Sequence, residues 1–174
     1  MDFTTLRVAD AADADTLAAL INSAYRGESS KRGWTTEADL LGGQRTDPDT
    51  LRKTIADKRN AILLVEEEGA PVCCVFLQRK ADGAYLGMLT VKPELQARGL
   101  GKRLVAAAEQ WARGAWQAKT IEMTVIQKRR ELIAWYERRG YANTGRTEPF
   151  PYGDEKFGLP KVDDLEFVIL EKSL

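Results

Sequence analysis

Apolar positions along the chain follow two rhythms. After Asp10, Leu17, Leu20, Ile21 and Ala24 recur at i, i+3, i+4 and i+7, one face of a helix that ends near Tyr25-Arg26-Gly27. Asp10 can cap that helix, and the weakly alternating stretch Phe3 to Val8 reads as an edge strand. Asp47-Pro48-Asp49 marks a second helix start, with a capping side chain, Pro in the first turn and an acid beside the dipole. Leu51 and Ile55 form its inner face, and it stops near Asn60. Strands follow over Ala61 to Glu67, Pro71 to Lys80 and Tyr85 to Val91. Gly69 and Pro71 mark the first connection, and Asp82-Gly83 is a hairpin signal for the second.

Helical spacing returns from Leu100 through Leu104, Ala107, Ala108, Trp111 and Ala115. Lys119 to Ile126 is a strand with Ile121, Met123 and Val125 on one face. Arg130 to Arg139 is a helix ended by Gly140, with Leu132, Trp135, Tyr136 and Arg139 on one face. Tyr141 to Thr147 begins another strand, and Leu165 to Leu170 closes the chain's regular structure. Two stretches keep neither rhythm. Glu28 to Arg45 is polar and irregular, although it holds Trp34, and Thr36 can cap a short helix over Glu37 to Leu41. Glu148 to Pro160 is rich in Pro, Gly and aromatics and reads as a loop. Hairpins mixed with strand–helix–strand crossovers predict an α+β fold, a mixed sheet with helices on both faces. The 174 residues suit one domain over positions 1–174.

Composition narrows the chemistry. There is no histidine, which excludes a Ser-His-Asp triad, a His base and a His-ligated metal; no metal is expected. The formal net charge is zero, which gives no support for general nucleic-acid binding. Hydrophobic residues make up 44% and charged residues 30%, enough for a core and a soluble surface. No apolar run approaches the roughly 18 residues of a membrane span. Met1 to Thr5 lacks a basic region followed by an apolar core, so no signal peptide is visible and a cytoplasmic location is expected. Cys73 and Cys74 are neighbours in the apolar run Val72 to Leu77. On a strand they point to opposite faces, which disfavours a bridge and suits a pair of buried thiols in a reducing compartment.

The segment Met88 to Leu104 carries the most chemistry. An apolar run feeds a turn, then Gln96-Ala97-Arg98-Gly99-Leu100-Gly101-Lys102-Arg103 opens a helix. The first N–H groups of a helix lack backbone partners and lie at its positive end, so this junction is an anion site. Gly99 and Gly101 remove side chains where a phosphate would approach, and Arg98, Lys102 and Arg103 put cations beside it. A P-loop would need Gly at position 96 and Ser or Thr at 103, and a dinucleotide fingerprint would need Gly at 104; Gln96, Arg103 and Leu104 stand there instead.

The segment resembles the acyl-CoA signature of the GNAT superfamily of N-acetyltransferases, Gln/Arg-x-x-Gly-x-Gly/Ala. The stretch Glu131-Leu132-Ile133-Ala134-Trp135-Tyr136-Glu137-Arg138-Arg139-Gly140-Tyr141 is similar to that family's later block, and the element order agrees over nearly the whole chain. The resemblance implies a GNAT-like fold, a twisted and mostly antiparallel sheet. It also implies direct acetyl transfer from acetyl-CoA to a primary amine of a small molecule or peptide. The backbone of Leu89, Thr90 and Val91 would pair with the pantetheine arm, and an N–H near Leu89 would polarise the thioester carbonyl. The pyrophosphate would sit on the N–H groups from Arg98 to Arg103. Tyr136 falls on the family tyrosine that protonates the leaving thiolate; the plainer reading is a half-buried tyrosine bonded to backbone. The family's Asn and Ala positions hold Arg129 and Leu132, so Arg129 would be a longer, charged donor to the coenzyme. Arg138 and Arg139 are candidates to reach a coenzyme phosphate, with solvation the preferred reading for both. No carboxylate lies in Ala84 to Leu89, so Glu37 is the candidate base by elimination; taken alone it reads as an exposed acid at a helix start. A homodimer is a candidate assembly, since many relatives are dimers. A non-catalytic acyl-CoA-binding or sensing module with the same fold stands as the alternative, and neither irregular loop identifies the acceptor.

Overall fold

The structure, a computed structural model, describes residues 5–174 apart from the side chain of Lys156. In chain order its elements are β1 (Arg7–Val8), α1 (Ala14–Tyr25), α2 (Gly27–Ser30), β2 (Leu41–Gly42), α3 (Pro48–Ala56), β3 (Asn60–Glu67), β4 (Ala70–Arg79) and β5 (Gly83–Val91). Then come α4 (Leu100–Trp116), β6 (Thr120–Ile126), α5 (Arg130–Glu137), β7 (Ala142–Pro149), β8 (Leu159–Pro160) and β9 (Glu166–Ser173). The main sheet runs β1-β3-β4-β5-β6-β9-β7, and β2 pairs with β8 in a separate ribbon. Every pairing is antiparallel except β5 with β6.

The alternation along the central strands explains the layers. Ile62, Leu64 and Cys74 face α1 and α3 and cluster with Leu17, Ile21 and Leu51. Leu63, Val65, Cys73, Val75 and Leu77 face the other way and cluster with Leu104, Ala108 and Ala112 of α4 and Tyr136 of α5. The neighbouring cysteines therefore sit in different cores, as the pleat requires. Burial pushes both thiols up to about 12. An aromatic disulfide reagent at pH 8 is expected to find no reactive thiol in the native protein and two after unfolding in guanidinium; a titratable native thiol would contradict this burial.

Several boundaries differ from the sequence reading. Of the edge strand expected over Phe3 to Val8, Phe3 and Thr4 lie outside the described residues, and the strand is Arg7–Val8. The expected helix over Glu37 to Leu41 is a single turn, in which Leu40 and Leu41 N–H both donate to the Glu37 carbonyl. The chain then leaves the turn to pair as β2 with β8, so tertiary pairing overrides the local cap. The loop expected over Glu148 to Pro160 contains the last two residues of β7, Glu148 and Pro149, and the whole of β8. Asp47 caps α3 as expected, its carboxylate accepting from Thr50 N–H at 2.8 Å.

One feature of the sheet positions the site. β5 and β6 pair only from Gly83–Tyr85 to Thr120–Glu122, and beyond that they diverge. The β6-facing edge of β5 is thus left without a ladder from Leu86 to Val91. A bulge opposite β4, with Met88 at φ 47°, lies inside this open stretch.

Candidate active site

The turn after β5 builds a concave anion site. Pro93–Leu95 forms a short 3-10 turn, then Ala97 (φ 63°) and Gly99 (φ 78°) take left-handed conformations. Gly99 adopts this without a Cβ penalty, whereas Ala97 carries strain on the order of 1 kcal/mol. Among the described residues the N–H groups of positions 97–102 have no backbone partner; the first helical bond is Arg103 N–H to the Gly99 carbonyl at 3.1 Å. Gln96, Ala97, Gly99, Gly101 and Lys102 line a cavity of about 220 Å³, together with Trp135 and Tyr136 of α5 and Arg139 just after it. Arg139 lies over the Trp135 ring, its carbon centre 3.4 Å from the ring centroid. Its Nε is buried without a hydrogen-bond partner, and burial lowers its basicity. It is not solvated, as the sequence suggested; Arg138 is exposed.

The expected coenzyme residues divide. Leu89, Val91, Gln96, Ala97, Gly99, Gly101 and Lys102 line this cavity. Arg98, Leu100 and Arg103 border a different hollow with Glu67 and Leu95, Leu100 being packed in the core. Thr90 is fully buried, its hydroxyl bonded to the Met88 carbonyl at 2.9 Å, so only its backbone is available. The carbonyls expected to pair with pantetheine already have partners: Leu89 O accepts from the Tyr25 hydroxyl at 2.6 Å, and Val91 O from Gln96 Nε2 at 3.0 Å.

Gln96 does more than face the cavity. Its Oε1 accepts from Trp34 N–H at 2.9 Å, and its Nε2 donates to Thr35 Oγ1 at 2.9 Å. Arg129 grips the same two residues from the other side, donating from Nη1 to Thr35 O and from Nη2 to Trp34 O, both at 3.2 Å. Trp34 packs on Trp135 with ring centroids 5.9 Å apart. The irregular loop is thereby fixed as a wall of this cavity. Arg129 itself borders a second cavity rather than the first.

That second cavity, about 330 Å³, lies on the open side of β5 and β6. Glu37 borders it but is not an exposed helix-start acid: its Oε2 accepts from Nη1 of the buried Arg26. Tyr25, Leu89, Leu132 and Tyr136 belong to the walls of both cavities and mark their junction. Tyr25 had no signal in the sequence beyond its place at a helix end.

Tyr136 is 5% exposed, and its ring packs edge-on against Trp135 and Tyr141. Among the described residues its hydroxyl has no hydrogen-bond partner, so the backbone-bonded reading fails. Burial holds its hydroxyl far above the ordinary tyrosine range, and burial followed by the charge of Glu109 does the same at Tyr141. Both stay protonated when folded but ionise near pH 10 when unfolded. Their stabilisation is therefore complete below about pH 10 and declines as pH rises beyond it, by about 3 kcal/mol per pH unit for the pair. Urea unfolding at pH 9 and pH 11 checks this: stability should fall, and Tyr136→Phe is expected to remove about 1.4 kcal/mol per pH unit of the fall above pH 10, the buried thiols and Tyr25 adding to the rest; equal stability at the two pH values would contradict it.

The cavity fits an acyl-CoA: unpaired amides and Lys102 at the turn, the orphaned Arg139 N–H in the same wall, and an open strand edge leading to a buried tyrosine. Comparison with known proteins agrees. Ribosomal-protein-S18-alanine N-acetyltransferase from Escherichia coli superposes with a TM-score of 0.70 at 17% identity, covering 97% of this chain and 92% of that one. PaiA N-acetyltransferase from Thermoplasma acidophilum in complex with coenzyme A gives 0.67 at 18%, covering 97% and 98%. YncA from Salmonella typhimurium with acetyl-CoA gives 0.69 at 18%, covering 98% and 93%. At these identities the likeness concerns the fold. No curated protein sequence matches the chain. The model of the Acetyltransferase (GNAT) family matches residues 21–141, from the middle of α1 to the turn after α5. The chain therefore belongs to the GNAT acetyltransferase family, an enzyme family whose reaction is acetyl transfer from acetyl-CoA to an amine.

Proposed function

We propose that the chain acetylates a primary amine of a small molecule or peptide, with the coenzyme in the cavity beside the Gly99–Lys102 turn and the amine entering through the cavity bordered by Glu37. The observation that carries the reading is Tyr136, a residue of both cavity walls whose hydroxyl stays protonated and has no hydrogen-bond partner among the described residues. The amine nitrogen forms a C–N bond as the thioester C–S bond breaks, and Tyr136 gives its proton to the sulfur. Glu37 receives the amine's proton, directly or through water, on Oε1, since Oε2 is held by Arg26. An N–H of the bulged segment near Leu89 stabilises the carbonyl oxygen. Alignment of two bound substrates supplies much of the rate, so no covalent enzyme adduct is needed.

Among the described residues no helix is long and apolar enough to cross a membrane, and the two buried thiols suit a reducing compartment; a cytoplasmic location is part of the proposal. The test is release of free CoA across an amine panel by the wild type and by Tyr136→Phe. Turnover that depends on Tyr136 supports the reading. Tight acetyl-CoA binding without turnover of any amine overturns it in favour of a sensing module.

A further inference from the structure

We infer that the acceptor is an amine that also carries a carboxylate, and that the Arg129 guanidinium holds that carboxylate. This rests on the acetyl-transfer reading and names the acceptor class for the same site. Arg129 is 8% exposed and borders the acceptor cavity. Two neutral carbonyls, of Thr35 and Trp34, are its hydrogen-bond partners. Among the described residues it forms no ion pair. A guanidinium has five N–H donors in a planar fork, so two bonds leave part of that fork unused. A buried charge without a counter-ion costs several kcal/mol unless something pairs with it. The fork shape matches a carboxylate with two parallel bonds.

The remaining charges of the cavity wall point the same way. Its carboxylates at Glu37 and Glu122 already have partners, Arg26 and Arg146, the latter at 3.3 Å. Arg45 and Lys80 lie over the rings of Tyr25 and Tyr85, each 5.7 Å from the centroid, and neither pairs with a carboxylate among the described residues. Only Glu148 is an unpaired acid in that wall. The uncompensated side chains are thus Arg45, Lys80 and Arg129 against Glu148, a surplus of positive charge that attracts an anion. A cavity of about 330 Å³ admits a small molecule. Tyr136 stands in the same wall, so the anion and the reacting amine belong within one compact ligand.

The experiment compares each primary-amine amino acid with its carboxamide and with its decarboxylated amine, by CoA release. For at least one set, kcat/KM for the free acid is expected to exceed both analogues by more than about tenfold. Arg129→Gln, which keeps an amide donor for the two loop carbonyls, is expected to lower kcat/KM for the acid about 10²-fold and to abolish the preference. Arg129→Lys is expected to keep part of it, and the KM for acetyl-CoA should move less than the acceptor KM in both variants. Calorimetry of the N-acetyl acids and N-acetyl amides in the presence of CoA reads the anion site without turnover. If amides or bare amines react as well as the acids, or if the preference survives Arg129→Gln, the anion site is refuted while acetyl transfer stands. If no amine reacts yet the N-acetyl acids bind better than the amides through Arg129, acetyl transfer is refuted and the anion site stands. If neither turnover nor that binding preference is found, both are refuted.

Discussion

Gly101→Glu is expected to leave the protein folded and to weaken acetyl-CoA binding about a thousandfold. The fold should tolerate the change because nothing in the backbone demands glycine here. A Cβ on Gly101 would meet Trp135 carbons at 3.6 and 3.7 Å and Val91 Cγ2 at 3.8 Å, ordinary van der Waals distances, and the residue lies within the first turn of α4. What the missing side chain leaves free is the cavity. A carboxylate placed there faces the coenzyme phosphates: two like charges about 4 Å apart at an effective dielectric of 20 repel by about 4 kcal/mol, and each 1.4 kcal/mol is tenfold in affinity. Gly101→Ala is the control, since it adds the Cβ without the charge and gains helix propensity on the order of 1 kcal/mol; a much smaller loss is expected. Isothermal calorimetry with acetyl-CoA, alongside thermal melts of both variants, gives the answer. Undiminished affinity in Gly101→Glu would move the coenzyme elsewhere. Gly99 is a different case: at φ 78° any side chain there is strained, so its loss would mix folding with binding.

Tyr136→Phe is expected to lower kcat by about 10² to 10³, the range for loss of a general acid, with the KM for acetyl-CoA changed little. The ring keeps its contacts to Trp135 and Tyr141. Among the described residues the hydroxyl has no partner to abandon, so the variant leaves no orphaned polar group and its stability at pH 7 should stay within about 0.5 kcal/mol of the wild type. The raised pKa also sets the pH profile: a phenol that remains protonated when buried contributes no falling limb below pH 10, so any alkaline loss of kcat in that range comes from another group. Full activity in Tyr136→Phe would remove the hydroxyl from the reaction and make the tyrosine a packing residue.

Much of this site was legible along the chain because its parts are local. A strand end, a glycine turn and a helix start are contiguous from Val91 to Lys102, and helix termini leave amides unpaired wherever they occur. Cys73 and Cys74 had to face opposite ways because a strand alternates. The partners of long side chains were not legible. Gln96 and Arg129 both bond Trp34 and Thr35, more than sixty positions from Gln96 and more than ninety from Arg129. In the sequence Glu37 is the candidate base by elimination and, taken alone, an exposed acid; its ion pair with the buried Arg26 was not visible there. Arg139 was read as solvated, and the Trp135 face claims it.

The sequence alone determined the hydrophobic layers, the anion-binding turn and the presence of an aromatic block with a tyrosine, because periodicity, glycine and helix ends act over a few residues. Only the tertiary structure decided that β5 and β6 part after Tyr85, that Tyr25 and Tyr136 line both cavities, and that Arg129 borders the second of them with no ion pair among the described residues. Those facts depend on which distant segments the packed core brings together, and pairing of that kind leaves no local pattern to read.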